Sequence, residues 1–242
     1  MMSEKNKTAL VVSAHSADFV WRAGGAIALY ASKGYKITVV CLSYGERGES
    51  AKLWKEPGMT LQKVKDARHK EAEAAASILG AKLRILDLGD YPLRVPDISI
   101  CELADIFRET DPEFVLTHST KDPYNADHPL TSQVAQEARI IAQAHGHRPE
   151  YKKVIGAPPV FLFEPHQPEQ SEWKPDVLLD ITGVWDRKKA AFETMGAQEH
   201  LWEYYTRVAL QRGAQASRNS GLTIKYAEGY QRVFPQVTTQ FS

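Results

Sequence analysis

The chain has 242 residues, of which 43% are hydrophobic and 25% charged, a size and balance that let one α/β domain bury a full core without splitting. Its 30 basic and 30 acidic side chains cancel and lie scattered, which excludes the electrostatic footprint of a nucleic-acid binder and points to a small-molecule partner. The opening MMSEKNK lacks the apolar stretch of a secretion signal and no run is long enough for a bilayer, so a cytoplasmic protein with no membrane partner is expected.

In chain order, Thr8 to Ala14 (TALVVSA) and Lys36 to Leu42 (KITVVCL) are compact apolar runs that read as buried parallel strands. Phe19 to Ser32, between them, carries apolar residues at helical spacing and stops before Gly34, which makes a βαβ unit. Leu61 to Leu79 reads as an alanine-rich helix, Leu83 to Leu88 as a third strand, Ser99 to Glu109 as a helix and Glu113 to Thr117 as a fourth strand. Pro129 to Ala144 begins with proline in a first turn. Val160 to Phe163 and Val177 to Asp180 supply further strands, and Val184 to Leu210 is mostly helical. The alternation predicts an α/β, Rossmann-like, mostly parallel sheet with helices on both faces. Residues 1–242 are expected to form a single domain, with a C-terminal helical extension from about residue 197. Cys41 and Cys101 lie inside separate apolar runs, the placement of free thiols in a reducing compartment.

Open α/β sheets bind ligands outside the carboxyl ends of their strands, so the reactive side chains just after each strand are the informative ones. His15 and Asp18 follow the first strand, Glu46, Arg47 and Glu49 the second, His118, Asp127 and His128 the fourth, and Glu164 and His166 the Val160 strand. Two imidazoles and a carboxylate suit catalytic zinc, which keeps a position open for water or substrate; iron or manganese would also fit such a set. His15 and Asp18 are spaced across one strand-to-helix turn and can face one ion. From spacing alone His15 also reads as a turn or core histidine, and Glu46 and Glu49 as a solvated face. His145 and His147 sit at a helix end beside Arg148 and Pro149 and read as an exposed cap.

The segment VVSAHSADFVWRAGGAIALYASKGYKITVVCLSYGERGE resembles the opening of the LmbE-like (PIG-L) zinc deacetylases, with their AHPDDE motif, GG pair and glycine-acid loop. DPYNADHPLTSQVAQEA, DITGVWDRKKAAFETMGAQ and RGAQASRNSGLTIKYAEGYQR resemble later segments of that family in the same order. The resemblance implies a zinc ion held by His15, Asp18 and His128. It also exposes departures. The aspartate that serves the deacetylases as general base is Ala17 here, the motif's proline is Ser16 and its glutamate is Phe19, so amide hydrolysis through that base is unavailable.

AHSADFVWRAGGAIA with SYGERGES is similar to a divergent branch of the superfamily, hydratases that add water across a carbon–carbon double bond of a tricarboxylic enol or keto acid. That resemblance implies a lyase of aromatic-compound degradation. Glu49 and His166 are then the expected proton-handling pair, with Glu46 in reserve, and Arg22 and Arg47 the expected grips on the tricarboxylate substrate. Arg212 and Arg218 are further cations that a C-terminal arm could bring in. The family resemblance also implies a homo-oligomer. The alternatives are a zinc-dependent N-acetyl deacetylase with a relocated base, and a metal-binding relative without catalysis.

Overall fold

The computed structural model describes residues 7–148, 150 and 153–239, so both ends of the expected 1–242 domain lie outside the described residues. Its elements run β1 (Thr8–Ser13), α1 (Asp18–Ser32), β2 (Lys36–Cys41), α2 (Ala51–Trp54), α3 (Leu61–Leu79), β3 (Ala81–Ile85), α4 (Asp97–Thr110), β4 (Phe114–Thr117), α5 (Asp127–Gln143), β5 (Val160–Phe163), β6 (Val177–Asp180), α6 (Trp185–Glu193), α7 (Trp202–Ser220) and β7 (Ala227–Arg232). One sheet takes all of these strands in the order β3-β2-β1-β4-β5-β7-β6. The first five strands in the chain pair in parallel. The α/β, mostly parallel reading therefore holds.

Leu10, Val11 and Val12 in the central strand are fully buried, because helices cover both faces. Phe19, Trp21, Ile27, Leu79 and Phe192 pack on one face from α1, α3 and α6, and Leu103, Phe107 and Val134 on the other from α4 and α5. After β1 the chain winds outward through β2 and β3, then returns to β4 on the far side of β1. That reversal opens the crevice in which ligands bind doubly wound sheets, at the carboxyl ends of β1 and β4.

Two elements differ from the sequence reading. The third strand starts at Ala81, ahead of the expected Leu83, because Gly80 at φ 83° caps α3 in the left-handed conformation and turns the chain directly into the sheet. The expected helical extension also contains β7, which runs antiparallel between β5 and β6 with Phe161 opposite Arg232 and Val177 opposite Tyr230. Its sequence, AEGYQR, hides a strand because its buried Glu228 and Gly229 read as polar turn residues.

Glu228 is tolerated there because its charge is fully met. Its carboxylate accepts the backbone N–H groups of Gly25 (2.7 Å) and Ala26 (2.8 Å), the Lys188 ammonium (2.6 Å) and the Tyr230 hydroxyl (2.6 Å). Gly25 in α1 is what permits this approach. A Cβ on Gly25 would stand 2.7 Å from Ile181 and 2.9 Å from the Glu228 carboxyl carbon. Gly25→Ala should therefore cost about 1–3 kcal/mol of stability, the usual penalty of overpacking, read as a lower midpoint in chemical denaturation. An unchanged midpoint would mean that α1 and β7 do not meet this closely. Among the described residues no helix is long and apolar enough to cross a membrane.

Candidate metal centre and active site

β1 delivers His15 two residues beyond its end, Asp18 opens α1, Glu49 lies on the loop after β2, and His128 is the second residue of α5. One ligand atom from each of these four residues lies within 4.8 Å of all the others, so the cluster can hold a metal ion. His15 Nδ1 is 3.0 Å from Asp18 Oδ2 and 3.4 Å from Glu49 Oε1, and His128 Nε2 is 3.4 Å from Asp18 Oδ1. His128 Nε2 is buried without a hydrogen-bond partner, which is costly for a polar atom unless a ligand meets it. The opposite nitrogen of each ring is oriented by a carboxylate: His15 Nε2 lies 3.3 Å from Asp127, and His128 Nδ1 lies 2.8 Å from Asp122. Such carboxylate–histidine pairs fix the rings of metal sites. The donor set and the orphaned nitrogen both fit a divalent cation.

The charges say the same. Burial disfavours a charged His15, but Glu49 and Asp18 outweigh it and raise the ring's pKa well above the ordinary 6.5. Burial likewise opposes the Asp18 carboxylate, yet His128, His118 and His15 hold it well below the usual range. The acids thus hold a proton on His15 that a metal ion must displace. We expect proton release when zinc is added to metal-free protein in weakly buffered neutral solution, and weaker binding as pH falls and protonated His15 gains. Zinc uptake with no proton release would remove His15 from the ligand set. His118 plays a different part. Burial, and then His128, keep its pKa well below 6.5; its Nε2 accepts the Ala14 N–H at 2.9 Å, and its ring stacks on His128 at 4.2 Å.

The remaining candidates divide. Glu49 faces the cluster, whereas Glu46 is buried beside Arg47 and Lys65 with its pKa raised by burial, so it does not stand in for Glu49. Arg22 is buried within the site, 3.5 Å from Asp18 and donating to the Glu164 carbonyl at 2.8 Å. The Arg47 guanidinium instead engages Glu46 at 3.4 Å and the Asp90 carbonyl at 3.2 Å. His166 is half-buried against Tyr204, with ring centroids 4.5 Å apart, and burial with nearby Arg22 lowers its pKa so that it is neutral at pH 7. Glu164 and Arg212 pair bidentately at 2.8 and 2.6 Å, which accounts for both.

The sequence reading passed over three neighbours. Tyr91, at φ 44°, is held by its N–H to Asp127 at 3.2 Å, its ring centroid 6.1 Å from that of His15. The phenol lies over Gly48, where a Cβ would come within 2.2 Å of it. Asn125 and Gln198 each donate to Glu49 at 3.1 Å. Asn125 and Gln198 lie inside the segments DPYNADHPLTSQVAQEA and DITGVWDRKKAAFETMGAQ, but only the fold brings them and the exposed Tyr91 to the cluster.

A cluster able to hold a metal ion, at the switch point of a doubly wound sheet, defines a class, and comparison with known proteins narrows it. The family model for PIG-L, GlcNAc-PI de-N-acetylase, matches residues 10–139, and the chain belongs to that family. It is 66% identical over 241 residues to a 4-oxalmesaconate hydratase of Pseudomonas putida, covering 98% of this chain and 93% of the relative. The crystal structure of GalB, the 4-carboxy-2-hydroxymuconate hydratase of Pseudomonas putida, superposes with a TM-score of 0.95 at 65% identity, over 98% of this chain and all 100% of that one. The fold extends to N,N'-diacetylchitobiose deacetylase of Pyrococcus horikoshii, with a TM-score of 0.78 at 22% identity over 95% and 85% of the two chains.

Proposed function

We propose that this chain is a zinc-dependent hydratase that adds water to 4-oxalomesaconate (4-carboxy-2-hydroxymuconate), giving 4-carboxy-4-hydroxy-2-oxoadipate in gallate or protocatechuate degradation. The observation that carries the reading is the 66% identity, along nearly the whole chain, to a relative named for that substrate. Local chemistry supports it. Ala17 is fully buried and presents a methyl where the deacetylase motif has its base, while Glu49 reaches the cluster from another loop.

His15, Asp18 and His128 would hold the ion, with Glu49 beside them. Zinc suits such a donor set and, when bound, supplies Lewis acidity to the substrate's 2-oxo or enol oxygen. Glu49 takes or delivers a proton on the cluster side. His166, neutral at pH 7 and half-buried against Tyr204, handles the other. Arg22, inside the site, offers the buried cation for a substrate carboxylate, and the half-exposed Arg47, whose Nη1 rests on Glu46 and the Asp90 carbonyl, offers a second. A cytoplasmic homo-oligomer built from one domain per chain completes the proposal.

The decisive experiment incubates purified, zinc-loaded protein with 4-oxalomesaconate and follows its ultraviolet absorbance, in parallel with N-acetylglucosamine derivatives assayed for released amine. Loss of the conjugated chromophore is the expected outcome. Amine release alone would make the protein a deacetylase with a relocated base, and inactivity in both assays with zinc bound would make it a non-catalytic metal binder.

A further inference from the structure

The hydratase reading asks Glu49 to meet a reacting group from one fixed direction, and the role inferred for its neighbours rests on that reading. A glutamate on a loop is free to turn about several bonds, and here the alternative direction is attractive. An open pocket of about 380 Å³ adjoins Glu49 and carries Lys52, Lys55 and His200 on its walls. Left unrestrained, the carboxylate could turn out toward Lys55 and toward Lys52, which pairs with Glu199 at 2.9 Å.

Both of its oxygens are instead held by side-chain amides, one of them Gln198 on the wall of that same pocket. Asn125 Nδ2 donates to Oε1 and Gln198 Nε2 to Oε2, each at 3.1 Å. Neither amide is free to flip. Gln198 Oε1 accepts from Arg68 Nη2 at 3.1 Å and from Trp21 Nε1 at 3.4 Å, so its NH₂ group must face Glu49. Arg68 is wholly buried and is itself fixed by Glu71 at 2.7 Å and the Tyr44 carbonyl at 3.3 Å. Asn125 Oδ1 accepts the Asp127 N–H at 3.0 Å, which turns its NH₂ the same way. Gln198 occupies a break between helical turns, at φ −128° and ψ 32°, where its buried side chain can reach inward.

We propose that Gln198 is a positioning residue for catalysis, the middle of a relay from Arg68 through Gln198 to Glu49, and that with Asn125 it keeps the Glu49 carboxylate turned to the metal cluster. Such orientation acts on the reacting geometry, because a misplacement of about 1 Å can cost roughly 100-fold in rate.

The test is Gln198→Met in the zinc-loaded enzyme, which keeps length and volume but removes both the donor to Glu49 and the acceptor for Arg68 and Trp21. The melting temperature should fall with the lost Arg68 contact, and at a temperature where the variant is fully folded the kcat for 4-oxalomesaconate should fall about tenfold to 100-fold while KM and zinc content stay at wild-type values. Unchanged kcat overturns the proposal, and so does a loss of kcat that only tracks lower zinc content or folded fraction. Should Gln198→Met fail to fold, Asn125→Asp keeps the acceptor for Asp127 but replaces the other donor by a carboxylate that repels Glu49, and the same fall in kcat at unchanged zinc content is expected; normal turnover there overturns the clamp. A wild-type enzyme inert toward 4-oxalomesaconate would bring down the hydratase reading itself, a result distinguishable from an active wild type with an indifferent Gln198→Met.

Discussion

His128→Ala should leave a folded protein that holds no metal and turns over no substrate. His128 brings to the cluster a nitrogen that is buried without a hydrogen bond, and it comes from α5, whereas His15 and Asp18 belong to a single turn after β1. Without it the ion would be held from one side of the crevice. Loss of a carboxylate behind a ligand histidine already costs about 10–100-fold in metal affinity, so loss of the histidine itself should exceed roughly 100-fold. Metal analysis after dialysis, with the absorbance assay alongside, checks this. Full zinc occupancy in the variant would show that the ion lies elsewhere, and the proposed mechanism would go with it. Asp122→Asn provides the graded companion, because it keeps the ring but weakens its anchor at Nδ1.

Glu49→Gln is the second large effect. The substitution is nearly isosteric, yet it removes the group that exchanges a proton, and general acid–base contributions run to about 10²–10⁴-fold in kcat. The clamp sharpens the expectation. Two amide NH₂ groups face the two Glu49 oxygens, and a glutamine can offer an oxygen to only one of them. The new side chain must therefore break one contact as well as lose its basicity. Steady-state kinetics on protein of measured zinc content separates the two roles open to Glu49. Lost turnover with zinc retained marks a proton carrier; zinc lost in proportion marks a ligand; normal turnover removes Glu49 from the mechanism.

The features legible in the amino-acid sequence are those written in short-range chemistry. His15, Asp18 and His128 interrupt or follow apolar strands with polar groups that a sheet edge has no packing use for, and the parallel order follows from alternating strands and helices. Glu49 could be named but not aimed, because its direction depends on the loop after β2 and on residues from two distant parts of the chain. Gln198 closes the segment DITGVWDRKKAAFETMGAQ, but its role could not be read there: it needs Arg68, 130 positions away, to decide which end of its amide faces Glu49. β7 escaped because a buried glutamate looks like surface until the backbone of α1 and Lys188 are seen closing around it. Arg47, like Glu49, could be named but not aimed: its half-exposed guanidinium lies against Glu46 and the Asp90 carbonyl.

The grip of Glu228 on the backbone of α1 spans 203 positions, and α1 is the helix that presents Asp18. A nascent chain halted before Ala227 lacks this tie and holds α1, and with it Asp18, only through its packing on the sheet, α3 and α6, so it should bind metal less tightly than the full chain.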